Sequence, residues 1–527
     1  MTVIGMRTPG RVAVLLALFA LRVFGEELPP AIIAGPYLTG LGTDRVTVCW
    51  ETDRPTVGRI AWYVQPGKQS VREDGSVATL HHVTLTGLAP ATACYYRVQA
   101  DGEATAFRRF ATAPAGSAPF RFAAYGDSRS NPKRHLAVAQ AMEPHQPAFV
   151  VHTGDYVADG RTDKLWLTEF FGPAQGLLGS CPIIPAMGTH EREAPAYYRY
   201  FRWQDEAWLA WVTGQAPVLC QFGPAWFSWS YGDAEFFVLN SYAPLTADSP
   251  QVRWLVPALA ASRARWKIVV FHEPLYSGGR HGGNEAHRRV LMPIFLKHGV
   301  DLLLAGHDHT YERTFALGTG ADPTQSALVE VVTGGGGAPS HKIIPGPWTA
   351  RAARGLNVCI FDVSADELRG TAYDEADRPI DQFTLARRDG RKSLGETLAA
   401  EDMEFLMAAR RFAAFSFPYV ARKAETKSFA LSVTNPFDHE LNGELSWEIK
   451  NSAWTVDPPK QAVRVAAREK AEVAFTVAFT PPERPASSAP VPMAILTSSG
   501  RSIAVPGFTL ESPRKAPSQP STSKPLW

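Results

Sequence analysis

The chain has 527 residues, of which 45% are hydrophobic, 20% charged and 11% aromatic. This length allows roughly three domains, and the composition is that of an ordinary soluble globular protein. The 53 basic and 51 acidic residues leave a net charge of +2, which argues against electrostatic capture of nucleic acid or of an anionic membrane.

The first 25 residues predict a signal peptide. Arg7 and Arg11 precede the apolar run VAVLLALFAL (12–21), and Gly25 offers a small residue for cleavage. The apolar run is too short to cross a bilayer and is interrupted by Arg22. The sequence therefore favours export over a short membrane anchor, with no stable membrane insertion after cleavage.

Residues 31–114 alternate between apolar and polar positions, with turn residues between the runs. This alternation predicts a small β-sandwich. The run TGLAPATACYYRV resembles the fibronectin type III pattern, since Leu88, Pro90 and Thr92 stand where that family has them. Cys94 stands where the family usually has a tyrosine.

Five cysteines are few for an exported protein of this length, so disulfides are not expected to be its main support. In the run VTVCW, strand alternation puts Cys49 on the outward face, whereas Cys94 belongs to an inward set. A bridge between these two is therefore not expected. Cys181 and Cys220 remain as an alternative pair.

Residues 118–388 follow a different pattern, in which short and fully apolar runs each end in a polar cluster. These clusters are GDSRSN, GDYVADG, GTHE, FHEP and GHDHTYER. Helix-like stretches such as HRRVLMPIFLKH (287–298) lie between some of the runs. Buried strands that alternate with helices predict an α/β core, in which chemistry collects beyond the carboxyl ends of the strands.

The last part of the chain predicts a second all-β domain. Residues 395–420 are expected to form a linker helix, and strand alternation returns over residues 425–511. Residues 512–527 are rich in proline and serine and predict a disordered tail. A C-terminal β-sandwich of this kind would suit a polymer or a cell-surface ligand.

The strand ends of the α/β region carry side chains that can bind metals. They are Asp127 in GDS, Asp155 in GDY, His190 in GTHE, His272 in FHEP, and His307 and His309 in GHDH. Carboxylates and neutral imidazoles suit zinc, manganese or iron, and one bridging carboxylate can hold two such ions. Two ions can clamp the attacking and leaving oxygens of an in-line displacement, which phosphate ester hydrolysis requires.

The ordered set GD, GD, GxHE, FHEP and GHDHTYER resembles the calcineurin-like metallophosphoesterases. FHEPLYS, GHDHTYER and the fibronectin-like N-terminal region are similar to the purple acid phosphatase branch of that superfamily. The resemblance covers residues 32–388. It implies a core of two mixed sheets flanked by helices, two metal ions (Fe, Zn or Mn), and hydrolysis of a phosphorylated small molecule by a metal-bridging hydroxide.

The resemblance also implies roles for individual residues. By their positions in the motifs, Asp155 would bridge the two ions, Asp127 and His309 would hold the first ion, and His272 and His307 would hold the second. His190 would lie beside the substrate, where it would orient the phosphate or protonate the leaving alkoxide.

Three positions depart from the family pattern. Thr189 replaces a metal-ligating asparagine, and its hydroxyl is a poorer donor than an amide oxygen. Arg129 stands where the broader family often has a histidine; its guanidinium would hold a phosphate or form a structural salt bridge. Ala158 replaces the ligating tyrosine of purple acid phosphatases, while Tyr156 directly follows Asp155, so the colour given by that tyrosine should be absent.

The sequence favours an exported metal-dependent phosphatase, and the preference for monoesters over diesters rests only on the resemblance. A phosphodiesterase remains an alternative. A further alternative is a degenerate member that has kept the fold as an extracellular binding or surface protein with weak turnover. Asn131 and His135 are near enough to Asp127 in sequence to be substitute ligands or substrate contacts, but the sequence favours neither role for them.

Overall fold

The structure is a computed structural model. It describes residues 30–100, 103–201, 226–318, 327–346, 348–388, 391–393, 397–399, 424–435, 440–449, 453–467, 469–480, 493–498 and 501–505. Two compact units are present: most of residues 1–397 form the first, and residues 398–527, with 319–321 and 346–348, form the second. The predicted signal peptide and C-terminal tail lie outside the described residues.

An antiparallel sheet of six strands opens the first unit. The strands are β1 (Ile32–Thr39), β2 (Val46–Tyr63), β3 (Ser70–Leu85), β4 (Ala93–Ala100), β5 (Glu103–Ala104) and β6 (Arg108–Ala111). Strand β2 has 18 residues and pairs with β1, β3 and β4 along different parts of its length. Trp50 and Cys94 on one face contribute to the same apolar cluster, as the alternation predicts.

Cys49 lies on the other face of β2, but the expectation that it points outward is wrong. It is fully buried, because this face packs against a second apolar cluster that includes Tyr37 and Tyr125. Its Sγ lies 3.3 Å from Nδ1 of His82. Cys49, Cys94, Cys181 and Cys359 form no disulfide, and Cys220 lies outside the described residues.

Two mixed sheets form the core of the first unit, as the resemblance implies. The first has the order β21-β20-β19-β18-β7-β8-β9, and the second has the order β10-β11-β12-β13-β16-β14-β17 with β15 beside β16. The strands of the first sheet are β7 (Phe120–Tyr125), β8 (Phe149–His152), β9 (Ile183–Pro185), β18 (Val358–Val363), β19 (Glu367–Tyr373), β20 (Pro379–Arg388) and β21 (Arg391–Ser393). Those of the second are β10 (Phe227–Tyr231), β11 (Ala234–Val238), β12 (Trp266–Val270), β13 (Leu302–Ala305), β14 (Thr310–Thr314), β15 (Ala316–Gly318), β16 (Ala327–Thr333) and β17 (Thr349–Arg354).

The two sheets pack face to face through aromatic side chains. Phe122 of β7 stacks on Phe149 of β8, with ring centroids 5.3 Å apart, and meets Phe236 of β11 edge-on at 5.3 Å. Strands β7, β8 and β9 are parallel to one another, as are β11, β12, β13 and β16. The carboxyl ends within each parallel group therefore lie at one edge of its sheet.

Short helices join these strands. They are α1 (Pro132–Met142), α2 (Asp163–Leu165), a π-helical turn (Trp166–Phe171), α3 (Gly172–Leu178), α4 (Pro195–Tyr200), α5 (Pro250–Ala261) and α6 (Glu285–His298), with a 3₁₀ turn at Glu143–His145. The predicted helix at 287–298 is confirmed as α6, which Asn284 caps at the start and Gly299 ends with a φ of 71°. No helix in the described ranges is long and apolar enough to cross a bilayer.

The second unit contains two facing antiparallel sheets, with the orders β23-β27-β25 and β26-β24-β28-β29. Its strands are β23 (Glu425–Thr434), β24 (Leu441–Glu448), β25 (Trp454–Asp457), β26 (Lys460–Val465), β27 (Lys470–Phe479), β28 (Met493–Ser498) and β29 (Arg501–Val505). Leu445, Trp454 and Phe475 lie in its core. The predicted linker helix is wrong at its start, where β22 (Thr397–Ala399) is a strand; residues 400–423 lie outside the described part.

Glu330 is a fully buried carboxyl group in β16. Burial raises its pKa from 4.5 to about 8, although hydrogen bonds from the backbone N–H groups of Leu275 and Tyr276 act in the opposite direction. The folded state therefore binds this proton more tightly than the unfolded chain. The stability from this group is complete below about pH 4.5 and is lost as the pH rises through about 8.

We expect the free energy of unfolding to fall by up to about 1.4 kcal/mol per pH unit between about pH 5 and 8 because of Glu330. Glu330→Gln removes the titration and should flatten this part of the profile. Denaturant unfolding at a series of pH values measures the slope, and Glu367→Gln, at an exposed strand position, is the matched control. Equal slopes in the wild type and Glu330→Gln would assign the pH dependence to other groups.

Candidate metal centre

Loops that follow β7, β8 and β12 bring three of the predicted residues into one buried group. One ligand atom from each of Asp127, Asp155 and His272 lies within 4.8 Å of the other two. The three residues are at most 1% exposed. Backbone hydrogen bonds fix the loops, since Asp127 N donates to Gly154 O at 2.9 Å and Gly306 N donates to His272 O at 2.9 Å.

Three of the strand-end residues have a left-handed backbone conformation. The φ angles are 58° for Asp127, 59° for Asp155 and 68° for His307. This conformation costs a non-glycine residue roughly 1–2 kcal/mol, and it persists where the surrounding structure enforces it, often at functional sites. All three residues therefore lie in tight turns that follow β7, β8 and β13.

Backbone carbonyl groups set the orientation of two imidazole rings. His272 Nδ1 donates to Thr153 O at 2.9 Å, so Nε2 faces Asp155 Oδ1 at 3.3 Å. His309 Nδ1 donates to Pro339 O at 2.7 Å, so the lone pair of the neutral His309 ring is on Nε2. A carbonyl acceptor on the second nitrogen is the usual arrangement around metal-binding histidines.

His307 joins the same group from the loop after β13. Its backbone N–H donates to Asp127 Oδ2 at 2.8 Å, and its Nδ1 lies 3.2 Å from His272 Nε2. Burial, followed by the nearby His272, lowers the pKa of His307 to about 4. The ring is therefore neutral, as a ligand must be.

His190 and Thr189 face Asp155 from the loop after β9. His190 Nδ1 donates to Ala158 O at 2.6 Å, which leaves Nε2 3.7 Å from Asp155 Oδ2 on a side chain that is 29% exposed. The Thr189 hydroxyl donates to Asp155 Oδ1 at 3.4 Å. Both residues therefore border the candidate centre, with His190 on its solvent side.

Glu191 holds the Asp155 loop in place. Its carboxylate accepts hydrogen bonds from the N–H groups of Gly188, Asp155 and Tyr156 at 2.8, 2.9 and 2.8 Å. Burial and then the charge of Asp155 raise the pKa of Glu191 to about 8. The acidic residue of GTHE therefore positions Asp155 rather than facing the centre itself.

Charged groups in the pocket shift one another's pKa values. Burial raises the pKa of Asp155, but the charges of His272 and His190 outweigh this effect and hold it below its ordinary value. Burial lowers the pKa of His272, but Asp155 and Asp127 outweigh it and raise the pKa to about 10. A buried imidazole that retains its proton so strongly marks a position where a cation is stabilised.

The donors fit a metal ion. Asp127 Oδ1 is buried without a hydrogen-bond partner among the described residues, and it lies 3.5 Å from His309 Nε2. An unpaired buried carboxylate oxygen is costly, and a bound cation would satisfy it. Carboxylate and imidazole donors together suit Zn, Mn or Fe.

Arg129 lies inside the group rather than at its rim. Its Nε donates to Asp155 Oδ2 at 3.3 Å, and one terminal nitrogen lies 3.3 Å from His309 Nε2. The side chain is 17% exposed. Arg129 therefore forms the salt bridge that the sequence offered as one of its two roles. Its partner, Asp155, is a predicted metal ligand.

Neighbouring residues that the sequence offered as substitute ligands have other roles. Asn131 caps α1 by accepting a hydrogen bond from Arg134 N at 3.2 Å. His135 is fully buried, and both ring nitrogens are engaged, with Glu169 O and the Tyr125 hydroxyl. These hydrogen bonds give both side chains a structural role.

Tyr156 also points away from the centre. Its ring stacks on His152 with centroids 3.9 Å apart and packs among the aromatic residues around Trp166. It therefore does not replace the tyrosine ligand that is missing at Ala158.

Sequence reasoning missed a second group of polar residues beside the centre. Ligand atoms of His281, Asp308 and His341 lie within 4.8 Å of one another. The ring centroid of His281 is 4.4 Å from that of His307, and His341 stacks on His309 at 3.9 Å. Only Asp308, inside GHDH, carried a sequence signal, because the two histidines lie in loops rather than at strand ends.

Residues 120–311 match the family model described as calcineurin-like phosphoesterase. The chain therefore carries a calcineurin-like phosphoesterase domain, which supplies all the residues of the Asp127, Asp155 and His272 group. The purple acid phosphatase resemblance is also supported. Purple acid phosphatase 21 of Arabidopsis thaliana is 26% identical over 312 residues, covering 56% of this chain and 69% of that protein.

An uncharacterized protein of Mycobacterium tuberculosis is 28% identical over 329 residues, which cover 53% of this chain and 59% of that protein. The chain thus matches about three fifths of the length of this relative. The solved structure of the purple acid phosphatase PPD1 from yellow lupin has a TM-score of 0.57 at 17% identity, covering 67% of this chain and 74% of that one. This likeness establishes the metallophosphoesterase fold.

Proposed function

We propose that the protein is a metal-dependent phosphoesterase that hydrolyses phosphate monoesters. The observation that carries the proposal is the buried group of Asp127, Asp155 and His272 in a calcineurin-like phosphoesterase domain. The preference for monoesters follows the similarity to purple acid phosphatase 21. The predicted signal peptide adds the proposal that the protein is exported.

In the proposed site, the predicted ligands divide between two sides of Asp155. On one side, His272 Nε2 lies near Asp155 Oδ1, and His307 follows it. On the other, Asp127 and His309 lie next to each other. Metal bound there would neutralise charge on the phosphoryl oxygens and supply a nucleophile at neutral pH.

Two side chains are proposed to act on the substrate. His190, with its Nδ1 held by Ala158 O and its Nε2 accessible, would donate a proton to the leaving oxygen. The Arg129 guanidinium would add a fixed positive charge for the phosphate group.

The proposal is tested with two substrates that release the same nitrophenolate, p-nitrophenyl phosphate and bis(p-nitrophenyl) phosphate. The purified protein is stripped of metal and reconstituted with Zn, Mn or Fe. Metal-dependent turnover with a higher kcat/KM for the monoester is the expected result. A higher kcat/KM for the diester would identify a phosphodiesterase, and metal binding without turnover on either would favour the binding protein.

Thr189→Asn provides a separate probe of the ligand set. The Thr189 hydroxyl already reaches Asp155 Oδ1 at 3.4 Å, and an amide oxygen is a stronger neutral donor. We expect metal binding to tighten by about tenfold, equivalent to roughly 1.4 kcal/mol, in calorimetric titrations. Thr162→Asn, in the loop before α2, should leave the affinity unchanged; equal affinities for both variants would place Thr189 outside the ligand set.

A further inference from the structure

Arg129 occupies the space between two donors that the resemblance assigns to the first ion. Its Nε contacts Asp155 Oδ2 at 3.3 Å, and a terminal nitrogen contacts His309 Nε2 at 3.3 Å. We infer that the Arg129 guanidinium takes the place of the first metal ion, so that the centre holds one resident ion between Asp127, Asp155 and His272. This inference rests on the proposed metal-dependent function.

The contact with His309 excludes metal binding through the same nitrogen. Because His309 Nδ1 donates its proton to Pro339 O, the only lone pair of the neutral ring is on Nε2. A guanidinium nitrogen has hydrogens and no lone pair, so it can approach Nε2 only as a donor. An ion and the guanidinium therefore compete for one lone pair.

The two carboxylate oxygens of Asp155 also have different partners. Oδ2 accepts the hydrogen bond from Arg129, whereas Oδ1 faces His272 Nε2 and accepts a hydrogen bond from His190 N at 2.9 Å. The carboxylate thus bridges a guanidinium and one metal position. Asp127, Asp155 and His272 form the compact group, and His309 is outside it.

The loop that carries Arg129 is fixed on both sides of the residue. Ser128 Oγ donates to Tyr156 O at 3.2 Å, and Ser130 N donates to Glu169 Oε2 at 2.9 Å. A third guanidinium nitrogen lies 3.4 Å from Ser130 Oγ. The anchored backbone and the buried carboxylate partner keep the guanidinium in the centre.

The missing fourth ligand agrees with this arrangement. Ala158 has no donor side chain, and Tyr156 is packed in the core, so the first position lacks the tyrosine of purple acid phosphatases. A guanidinium needs acceptors rather than four ligands, and it supplies a positive charge with fixed hydrogen-bond directions.

The test compares metal content and metal environment in the full chain and three variants. Arg129→Ala removes the guanidinium, and Arg129→His replaces it with a ligand. Arg134→Ala removes a nearby arginine that contacts Ser340 Oγ at 3.1 Å and lies outside the centre. Each protein is loaded with Mn²⁺, bound metal is counted by mass spectrometry, and electron paramagnetic resonance distinguishes isolated ions from coupled pairs. Thermal unfolding of each variant verifies folding.

We expect one isolated Mn²⁺ in the wild type and in Arg134→Ala, and a coupled pair in Arg129→His. Arg129→Ala should bind the second ion more weakly than Arg129→His does. The affinity of Arg129→His for the second ion should exceed that of the wild type by at least about tenfold. A coupled pair in the wild type, or one ion in all four proteins, would overturn the inference and leave the proposed function standing. No bound ion in any of them would overturn both.

Discussion

Asp155→Asn is expected to lower kcat/KM for an aryl phosphate by at least about 10³-fold, equivalent to roughly 4 kcal/mol of transition-state stabilisation. The substitution keeps the shape of the side chain but removes its charge. The Asp155 carboxylate faces His272 with one oxygen and Arg129 with the other. An asparagine would place an N–H group against one of these two donors, so both metal affinity and substrate positioning should fall.

The backbone conformation of Asp155 accommodates an asparagine. Asp155 has a φ of 59°, a left-handed conformation that asparagine tolerates well. Asp377 also has a φ of 59° and lies in a surface turn, where it contacts His145. Asp377→Asn is therefore the matched control and should keep wild-type kcat/KM and metal content. Equal background rates for wild type and Asp155→Asn with Zn, Mn and Fe would refute the proposed phosphoesterase.

Much of the fold and of the candidate site could be predicted from the sequence, because parallel strands collect their carboxyl ends at one edge. Asp127 and Asp155 follow the neighbouring strands β7 and β8, and His272 and His307 follow β12 and β13. Short apolar runs that each end in a polar cluster are sufficient to indicate such an edge.

Other features depend on contacts that strand periodicity does not encode. Cys49 follows the expected alternation, yet it is buried because a second layer covers its face of the sheet. His281 and His341 reach the rings of His307 and His309 from loops. The contact of Arg129 with His309 depends on which ring nitrogen of His309 accepts a hydrogen bond. That choice is fixed by the bond from His309 Nδ1 to Pro339 O, 30 residues further along the chain.

His190→Gln is expected to affect substrates according to their leaving groups. For an alkyl phosphate, whose alkoxide must be protonated as it departs, kcat should fall by about 10²–10³-fold. For p-nitrophenyl phosphate the fall should be about tenfold or less, because nitrophenolate leaves without a proton. The reason is geometric: Nδ1 is held by Ala158 O at 2.6 Å, and only Nε2 can deliver a proton to bound substrate.

The same comparison separates proton donation from phosphate orientation. If His190 only oriented the phosphate, His190→Gln would raise KM or lower kcat equally for both substrates, since their phosphate groups are identical. Steady-state kcat and KM for the two substrates therefore decide between the roles. His298→Gln, at the end of α6 and away from the centre, controls for the loss of an imidazole. A leaving-group dependence that appears only in His190→Gln assigns the proton to His190 Nε2, because no change in phosphate binding distinguishes an alkyl from an aryl ester.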